Sequence, residues 1–310
     1  MSSETDAGPQ SADRREALRL LSALAGGSAA GAVGLGQAEA AEATHGVQLA
    51  SLFSLKDKVA VLTDVGGGGS RQVAQLLAEA GAHVVMADRD MDKARTTVAL
   101  ATEAGGKAVA MQADIENEAS VIALFSDVAE AAGRLDILIN CAGMLANQPL
   151  VETTVEQWDD VQSLNLRANF LCMREGVKHM VAGGRGGRIV NITTIGAKHP
   201  VMHGNEAYSA ARQGVSALSR NTALDYAKDG ILVNTVLAGA ILDKVATHPS
   251  TIEAIQAGRV LSGPIQAPGR VPLGFGDMLD VAAAVLYLVS PAGRYMTGQE
   301  LVLDGGFFVS

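Results

Sequence analysis

The 310-residue chain is poor in aromatic residues and rich in small ones. Aromatic residues make up 4% of the chain, with a single tryptophan, whereas glycine occurs 35 times. A β-sandwich or barrel core is usually filled by larger side chains, while small residues suit close packing of helices on a sheet. The composition therefore favours an α/β architecture.

Positive charge and cysteine are also scarce. The formal net charge of −9 argues against a nucleic-acid partner, because phosphate binding needs a basic surface. Cys141 and Cys172 are too few for a disulfide framework and lack the spacing of a metal site, so we expect two free, buried thiols and no metal. Beyond the N-terminal region no apolar run is long enough to span a bilayer, so we expect no membrane span in the remaining chain.

The N-terminal region has the three parts of an export signal. Arg14 and Arg15 precede an apolar, uncharged run over 20–36, and Ala38-Glu39-Ala40 supplies a small-residue cleavage site. The paired arginines resemble the twin-arginine signal, with which a protein crosses the membrane already folded. We therefore expect a signal peptide over 1–40, a linker over 41–54, and a periplasmic or extracellular domain over 55–310. The alternative is a helix or tail that stays attached to a cytoplasmic protein.

From Lys58 onward, short apolar strands alternate with amphipathic helices. Strands are predicted at 59–62, 83–87, 108–111, 135–139, 188–192, 232–236 and 301–303. Helices are predicted at 73–80, 92–104, 119–131, 155–181, 207–228 and 281–289. This alternation predicts a three-layer α/β fold, in which a doubly wound parallel sheet has helices on both faces. Functional residues are expected just after the strands, at the switch point in strand order.

Several short motifs follow the predicted elements in a fixed order. They are Asn140-Cys141-Ala142-Gly143, Asn191-Ile192-Thr193-Thr194, Tyr208-Ser209-Ala210-Ala211-Arg212, Val233-Asn234, and the stretch from Thr297 to Gly306. This ordered set resembles the short-chain dehydrogenase/reductase family over about 55–306. The resemblance implies one Rossmann-like domain and NAD(P)-linked interconversion of an alcohol and a carbonyl compound. It also implies a homodimer or homotetramer.

The resemblance assigns the chemistry to four residues. Tyr208 is the implied acid/base, because hydride transfer to a carbonyl leaves charge on oxygen and needs a proton donor. Arg212 lies one helical turn on, where the family has lysine; it keeps the positive charge but is longer, planar and never gives up its proton. Thr194 stands for the family's serine, and Asn165 for a supporting asparagine. The gap from Thr194 to Tyr208 is one residue longer than usual, which leaves the registration among neighbouring residues open.

The resemblance also places a dinucleotide on the turn after the first strand. Thr63, Gly66, Gly68 and Ser70 would approach the pyrophosphate at a helix N-terminus, and Ser70 is able to cap that helix. Asp64 and Ser70 stand where the family has glycine. A carboxylate near a pyrophosphate is repulsive in a cleft of low dielectric, so the alternative is a glycine-rich turn that binds nothing.

The adenosine end is expected at the second strand. Asp88 would accept hydrogen bonds from the ribose hydroxyls and repel a 2′-phosphate, which favours NAD over NADP. Arg89 beside it would soften that preference. The remaining implied cofactor residues are Asp114, Asn140, Gly143 and Gly239. Asp243 stands near the position where the family has a threonine for the nicotinamide amide.

Three functional hypotheses follow from these residues. The first is an exported, NAD-preferring oxidoreductase acting on a small secondary alcohol or ketone, with Tyr208 as acid/base. The second is a non-catalytic relative that keeps the fold as a binding or assembly module, and it is motivated by Asp64, Thr194, Arg212 and Asp243. The third is lyase or isomerase chemistry on the same tyrosine. Fold alone does not decide between them.

Overall fold

The computed structural model describes residues 9–25, 48–64, 70–241, 246–247, 252–253, 256 and 262–310. Its strands are β1 Val59–Thr63, β2 His83–Asp88, β3 Lys107–Gln112, β4 Ile137–Asn140, β5 Met144–Leu145, β6 Gly187–Thr194, β7 Ile231–Ala238, β8 Ala246–Thr247 and β9 Glu300–Leu303. Seven of them form one sheet in the order β3-β2-β1-β4-β6-β7-β9, and every neighbouring pair is parallel. Strands β5 and β8 pair in parallel as a separate small sheet.

Helices connect the strands and cover the large sheet. They are α1 Pro9–Ala25, α2 Leu49–Leu52, α3 Arg71–Glu79, α4 Met91–Glu103, α5 Glu118–Ala132, α6 Val155–Gln162, α7 Ala168–Gly183, α8 Glu206–Tyr226 and α9 Met278–Val289. One face of the sheet packs against α5, α7 and α8, and the other against α3, α4 and α9. Every residue of β1 and β2 is buried, as expected of parallel strands with helices on both faces. The predicted three-layer, doubly wound, single-domain α/β fold is confirmed.

The predicted long helix over 155–181 is interrupted. A π-helical turn, Ser163–Arg167, lies between α6 and α7. A capping box between Thr154 and Gln157 fixes the start of α6, so the interruption lies within a helix whose first turn is well held. Such π-turns occur frequently at functional sites.

Helix α1 departs from the expectation that the fold begins near Leu55. It packs against β3 and α5, where Ala17 and Leu21 are buried in the same core cluster as the sheet. Arg14 donates from Nε and Nη2 to the two carboxylate oxygens of Asp127 at 2.6 and 2.5 Å. In the full chain this helix is part of the fold, because its apolar face covers the flank of the sheet beside α5.

The expected linker also contains regular structure, since α2 lies within it. The expected cleavage site at Ala38-Glu39-Ala40 lies outside the described residues. Cleavage after Ala40 therefore stays a prediction. Among the helices that the structure describes, none is long and apolar enough to cross a membrane.

Candidate active site

A cleft of about 350 Å³ opens beyond the carboxyl ends of β1, β4, β6 and β7. After β1 the chain builds the sheet outward through β2 and β3, and then returns to place β4 on the other side of β1. The cleft therefore lies at the switch point of the sheet, where α/β proteins bind their ligands. Its described lining is Asp64, Cys141, Gly143, Leu145, Ile192, Thr193, Thr194, Ile195, Val201, Met202, Asn205, Tyr208, Arg212, Ala238, Gly239, Ala240, Ile241, Ile265, Gln266, Phe275 and Met278.

Tyr208 and Arg212 lie in the first turns of α8 and line this cleft. Their spacing of four residues places them on one face of the helix, as the sequence predicted. The Arg212 guanidinium carbon lies 5.2 Å from the centroid of the Tyr208 ring, so the positive charge lies over the ring face. Both residues are buried, with Tyr208 8% and Arg212 2% exposed.

The loop after β4 holds the Arg212 guanidinium. Nη2 of Arg212 donates to the carbonyl oxygen of Ala142 at 3.0 Å. A Cβ atom on Gly143 would lie 1.4 Å from that nitrogen, so only glycine leaves room for the guanidinium. Nε and Nη1 of Arg212 are buried without a hydrogen-bond partner. The arginine therefore brings a fixed positive charge with unused donors to the cleft.

Two threonines at the end of β6 also line the cleft. The hydroxyl oxygen of Thr194 accepts a hydrogen bond from the backbone N–H of Gly196 at 3.1 Å, and its own proton stays available for donation. The hydroxyl of Thr193, a residue 5% exposed, has no partner. The structure thus brings Thr194 to Tyr208 and Arg212 in one cleft, with Thr193 beside it.

Asn165 contacts the backbone beside the cleft and does not line it. It is fully buried in the π-turn and is absent from the described lining of the cleft. Its Oδ1 accepts from the backbone N–H of Met144 at 3.0 Å, while Nδ2 donates to the carbonyls of Met144 and Val161. Asn165 therefore positions the chain that follows Gly143, and its role as the supporting asparagine of the site stays a prediction.

The nucleotide turn differs from the expectation in the contacts of Ser70. Ser70 occupies the N-cap position of α3 but makes no capping hydrogen bond, and its hydroxyl donates to Asp64 Oδ2 instead. Asp64 is buried and faces the cleft. Gly66 and Gly68 lie outside the described residues. The expected capping role of Ser70 is therefore wrong, because the nearby carboxylate is a stronger acceptor for its hydroxyl.

Thr63 and Asn140 are occupied within the sheet. The Thr63 hydroxyl donates to Asn140 Oδ1 at 3.2 Å, Asn140 Nδ2 donates to Asn191 Oδ1 at 2.7 Å, and Asn191 Nδ2 donates to Ser219 at 2.8 Å. This chain of hydrogen bonds joins β1, β4 and β6 to α8 behind the cleft. Neither Thr63 nor Asn140 is among the described lining residues, and the contact of either with a cofactor stays a prediction.

The acids expected at the adenosine end lie at turns. Asp88 is 1% exposed, and its Oδ1 accepts from the backbone N–H of Asp90 at 2.9 Å. Arg89 forms an ion pair with Glu116 at 3.6 Å. Asp114 is exposed, and its Oδ1 accepts from the N–H of Glu116 at 3.0 Å. Asp88 and Asp114 thus both shape their own turns, and Asp243 lies outside the described residues.

The two remaining predicted glycines line the cleft. Gly143 lies against Arg212, and a Cβ atom on Gly239 would lie 2.2 Å from Ile195 Cδ1. Cys141 also faces the cleft, where burial raises the pKa of its thiol well above its usual range. Asp64 adds to this rise in the pKa of Cys141, and Arg212 opposes it. Within the described part of the chain, no cluster of His, Cys, Asp and Glu is arranged to hold a metal ion.

Asn205 is a lining residue that the sequence analysis did not single out. It is 5% exposed, and neither its Oδ1 nor its Nδ2 has a hydrogen-bond partner. An asparagine near the start of a helix is usually a capping residue, and no motif in the sequence points to Asn205 as part of a ligand site.

Comparison with known proteins identifies the family. A family model described as enoyl-(acyl carrier protein) reductase matches residues 67–308. The 2,5-dichloro-2,5-cyclohexadiene-1,4-diol dehydrogenase of Sphingobium indicum is 30% identical over 258 residues, which are 82% of this chain and 98% of that protein. The 2-dehydro-3-deoxy-D-gluconate 5-dehydrogenase of Escherichia coli is 30% identical over 263 residues, or 83% and 98% of the two chains.

A solved structure agrees with these relatives. The crystal structure, with bound NADP, of a protein assigned as a 2-deoxy-D-gluconate 3-dehydrogenase from Agrobacterium tumefaciens has a TM-score of 0.72 and 31% identity. The match covers 84% of this chain and 99% of that one. The chain belongs to the short-chain dehydrogenase/reductase family, whose named relatives here are oxidoreductases.

Proposed function

We propose that the protein is an NAD(H)-preferring oxidoreductase that interconverts a secondary alcohol and a ketone, with Tyr208 as acid/base. The observation that carries this proposal is the pair of Tyr208 and Arg212 at the cleft, with the guanidinium carbon 5.2 Å from the ring centroid. A buried tyrosine beside a permanent positive charge is suited to give up and recover a proton.

The residues present fit the nicotinamide end of a dinucleotide. Nε and Nη1 of Arg212 are buried N–H donors without a partner, and they would bind the ribose hydroxyls. Gly143 and Gly239 leave room for the side chains of Arg212 and Ile195, which line the same cleft. A bound nicotinamide would supply or accept the hydride.

The side chains of this protein would handle the proton. In reduction of a ketone, the Tyr208 hydroxyl would donate its proton to the carbonyl oxygen as charge develops there. Arg212 would stabilise the phenolate that remains, and Thr194 would donate a hydrogen bond that orients the carbonyl. Apolar lining residues such as Val201, Ile265 and Phe275 would exclude water and strengthen these interactions.

Preference for NAD over NADP rests on the charge at the end of β2. The Asp88 carboxylate is buried there, and a 2′-phosphate beside it would be repelled. Arg89 is paired with Glu116, which weakens its attraction for a 2′-phosphate.

Titration of the purified protein with NADH and NADPH tests the proposal. We expect tighter binding of NADH, and Asp88→Asn, which keeps an acceptor for Asp90, should reduce the preference about tenfold, the effect of some 1.4 kcal/mol of lost repulsion.

The rival function is a nucleotide-free binding module, and the Asp64 carboxylate in the cleft is the observation that favours it. A folded protein that binds neither NADH nor NADPH, and that gains nucleotide affinity in Asp64→Gly, would establish this rival. Equal binding of the two nucleotides would instead reject only the NAD preference.

We also propose a homodimer or homotetramer assembled through α7 and α8. These helices carry exposed apolar side chains, including Phe170, Val181 and Leu224, on their outer surface. Exposed apolar patches of this kind usually mark contacts between chains. Sedimentation velocity tests the assembly, and a monomer at micromolar concentration would contradict it.

Export by the twin-arginine route is a further part of the proposal. Arg14, one member of the pair, is bound to Asp127 in the full chain, so its recognition would require α1 to leave the domain. Mass spectrometry of the exported protein should find an N-terminus near Ala41. Recovery of full-length protein from the cytoplasm alone, with no effect of Arg14-Arg15→Lys-Lys, would contradict export.

A further inference from the structure

The Asn205 carboxamide has a position and a hydrogen-bonding state that helix structure does not account for. Asn205 is the N-cap residue of α8, and an asparagine at this position normally accepts a hydrogen bond from a backbone N–H in the first turn. Here the side chain makes no such bond, while the Asn205 backbone carbonyl accepts from Ser209 at 2.8 Å. The carboxamide is buried, without a partner at either polar atom, and lines the cleft.

The backbone around Asn205 is held from two sides. The N–H of Gln148 donates to the Gly204 carbonyl at 2.7 Å, and the side chain of Asn147 donates to the His203 carbonyl at 3.0 Å. The N–H of His203 also donates to the Ser262 carbonyl at 2.9 Å. Asn205 is therefore presented on a fixed loop, and a ligand that binds it need not order the loop first.

We propose that Asn205 binds a second polar group of the substrate, a neutral hydroxyl or carboxamide, apart from the carbonyl or alcohol that reacts at Tyr208. The reaction of the carbonyl or alcohol at Tyr208 is part of the proposed function, and this inference rests on it. An asparagine offers one acceptor and two N–H donors, and a hydroxyl or carboxamide satisfies both kinds. A carboxylate has no proton for Oδ1, so an acidic substrate fits this site less well.

Asn205 precedes Tyr208 by three residues and lines the same cleft, so one compact substrate can contact both side chains. The cleft also has apolar lining residues that suit a carbon ring or short chain, among them Val201, Met202, Ile265 and Phe275. The substrate class is therefore a compact hydroxy ketone, or the corresponding diol.

A matched pair of ketones tests the proposal. The full chain is assayed with NADH and either 4-hydroxycyclohexanone or 4-methylcyclohexanone, which are similar in size. We expect kcat/KM to be about tenfold higher for the hydroxy ketone, the value of one net hydrogen bond. Asn205→Leu should abolish this preference, because leucine is similar in size and has no hydrogen-bonding group. Asn221→Leu, on the exposed face of the same helix, should leave the preference unchanged.

Further variants separate the possible outcomes. Asn205→Ser keeps a small polar residue before α8 with a side chain too short for the substrate, so it should lose the preference even if the leucine variant folds poorly. An equal loss of activity on both ketones would show a merely structural role and overturn the proposal. Saturation-transfer NMR measures binding of both ketones without turnover. If the parent prefers the hydroxy ketone and Asn205→Ser does not, the site is supported even in an inactive protein. If the parent and Asn205→Ser bind the hydroxy ketone equally well, the proposal is rejected.

Discussion

The Arg212 guanidinium is confined between a backbone carbonyl, a glycine and an aromatic ring. It donates to Ala142, lies against Gly143 and packs over Tyr208. Arginine is longer than lysine and holds its charge in a planar group. In this cleft the extra length is used to reach the Ala142 carbonyl, so the loop after β4 and the residue at 212 have to match each other.

This match predicts coupling between positions 143 and 212. Gly143→Ala should lower the free energy of unfolding by about 1–3 kcal/mol, since the new methyl group overlaps Nη2 of a buried arginine. Arg212→Lys shortens the side chain, so the double variant should lose less than the sum of the two single losses. Urea unfolding measures all three, with Gly183→Ala at the end of α7 as a control that should cost little. Additive losses would contradict the contact.

Cys141 reports on the electrostatics of the same cleft. Burial raises the pKa of its thiol well above the usual range, Asp64 raises it further, and Arg212 lowers it. Because the thiolate is the reactive form, the parent should react slowly with iodoacetamide at pH 8, Asp64→Asn faster and Arg212→Gln more slowly. Cys172, with a pKa of about 12 caused by burial, serves as an unreactive internal control. Identical rates in all three proteins would show that the charges of Asp64 and Arg212 do not reach Cys141.

At the scale of elements, α1 is the feature that the sequence described least well. It contains the paired arginines and the start of the apolar run of a signal, and these local features do not reveal a partner on the folded domain. The contacts form with β3 and α5, about a hundred residues away along the chain. By contrast, the strands and the helices that connect them were predictable, because burial on both faces leaves continuous apolar runs.

Docking of α1 predicts a specific loss of stability. Leu21 is fully buried, so Leu21→Ala should lower the free energy of unfolding of the full chain by about 2–5 kcal/mol and speed proteolysis within α1. Leu20→Ala is the control, because Leu20 is 50% exposed. The Arg14–Asp127 pair is partly exposed at Arg14, and Arg14→Gln should cost about 1 kcal/mol at most. Equal effects of the two leucine substitutions would show that α1 does not pack as described.

At the scale of the whole molecule, the sequence predicted the sheet and the shared cleft of Tyr208, Arg212 and Thr194. It did not predict which polar side chains form hydrogen bonds within the protein itself. Asn140 binds Asn191, and Asn165 binds the backbone of Met144, through contacts that span 21 to 51 residues of sequence. A motif gives residue type and order, whereas the direction of an amide depends on tertiary neighbours. For the same reason the sequence analysis did not single out Asn205.

The most direct test of the proposed function compares the parent with Tyr208→Phe in NADH consumption against a panel of ketones. Phenylalanine keeps the ring that Arg212 covers and removes only the hydroxyl, so NADH binding should be unchanged. Loss of an acid/base group lowers rates by about 10²–10⁴, and we expect kcat/KM to fall within that range. A parent that is no faster than the Tyr208→Phe variant on every ketone would contradict the account.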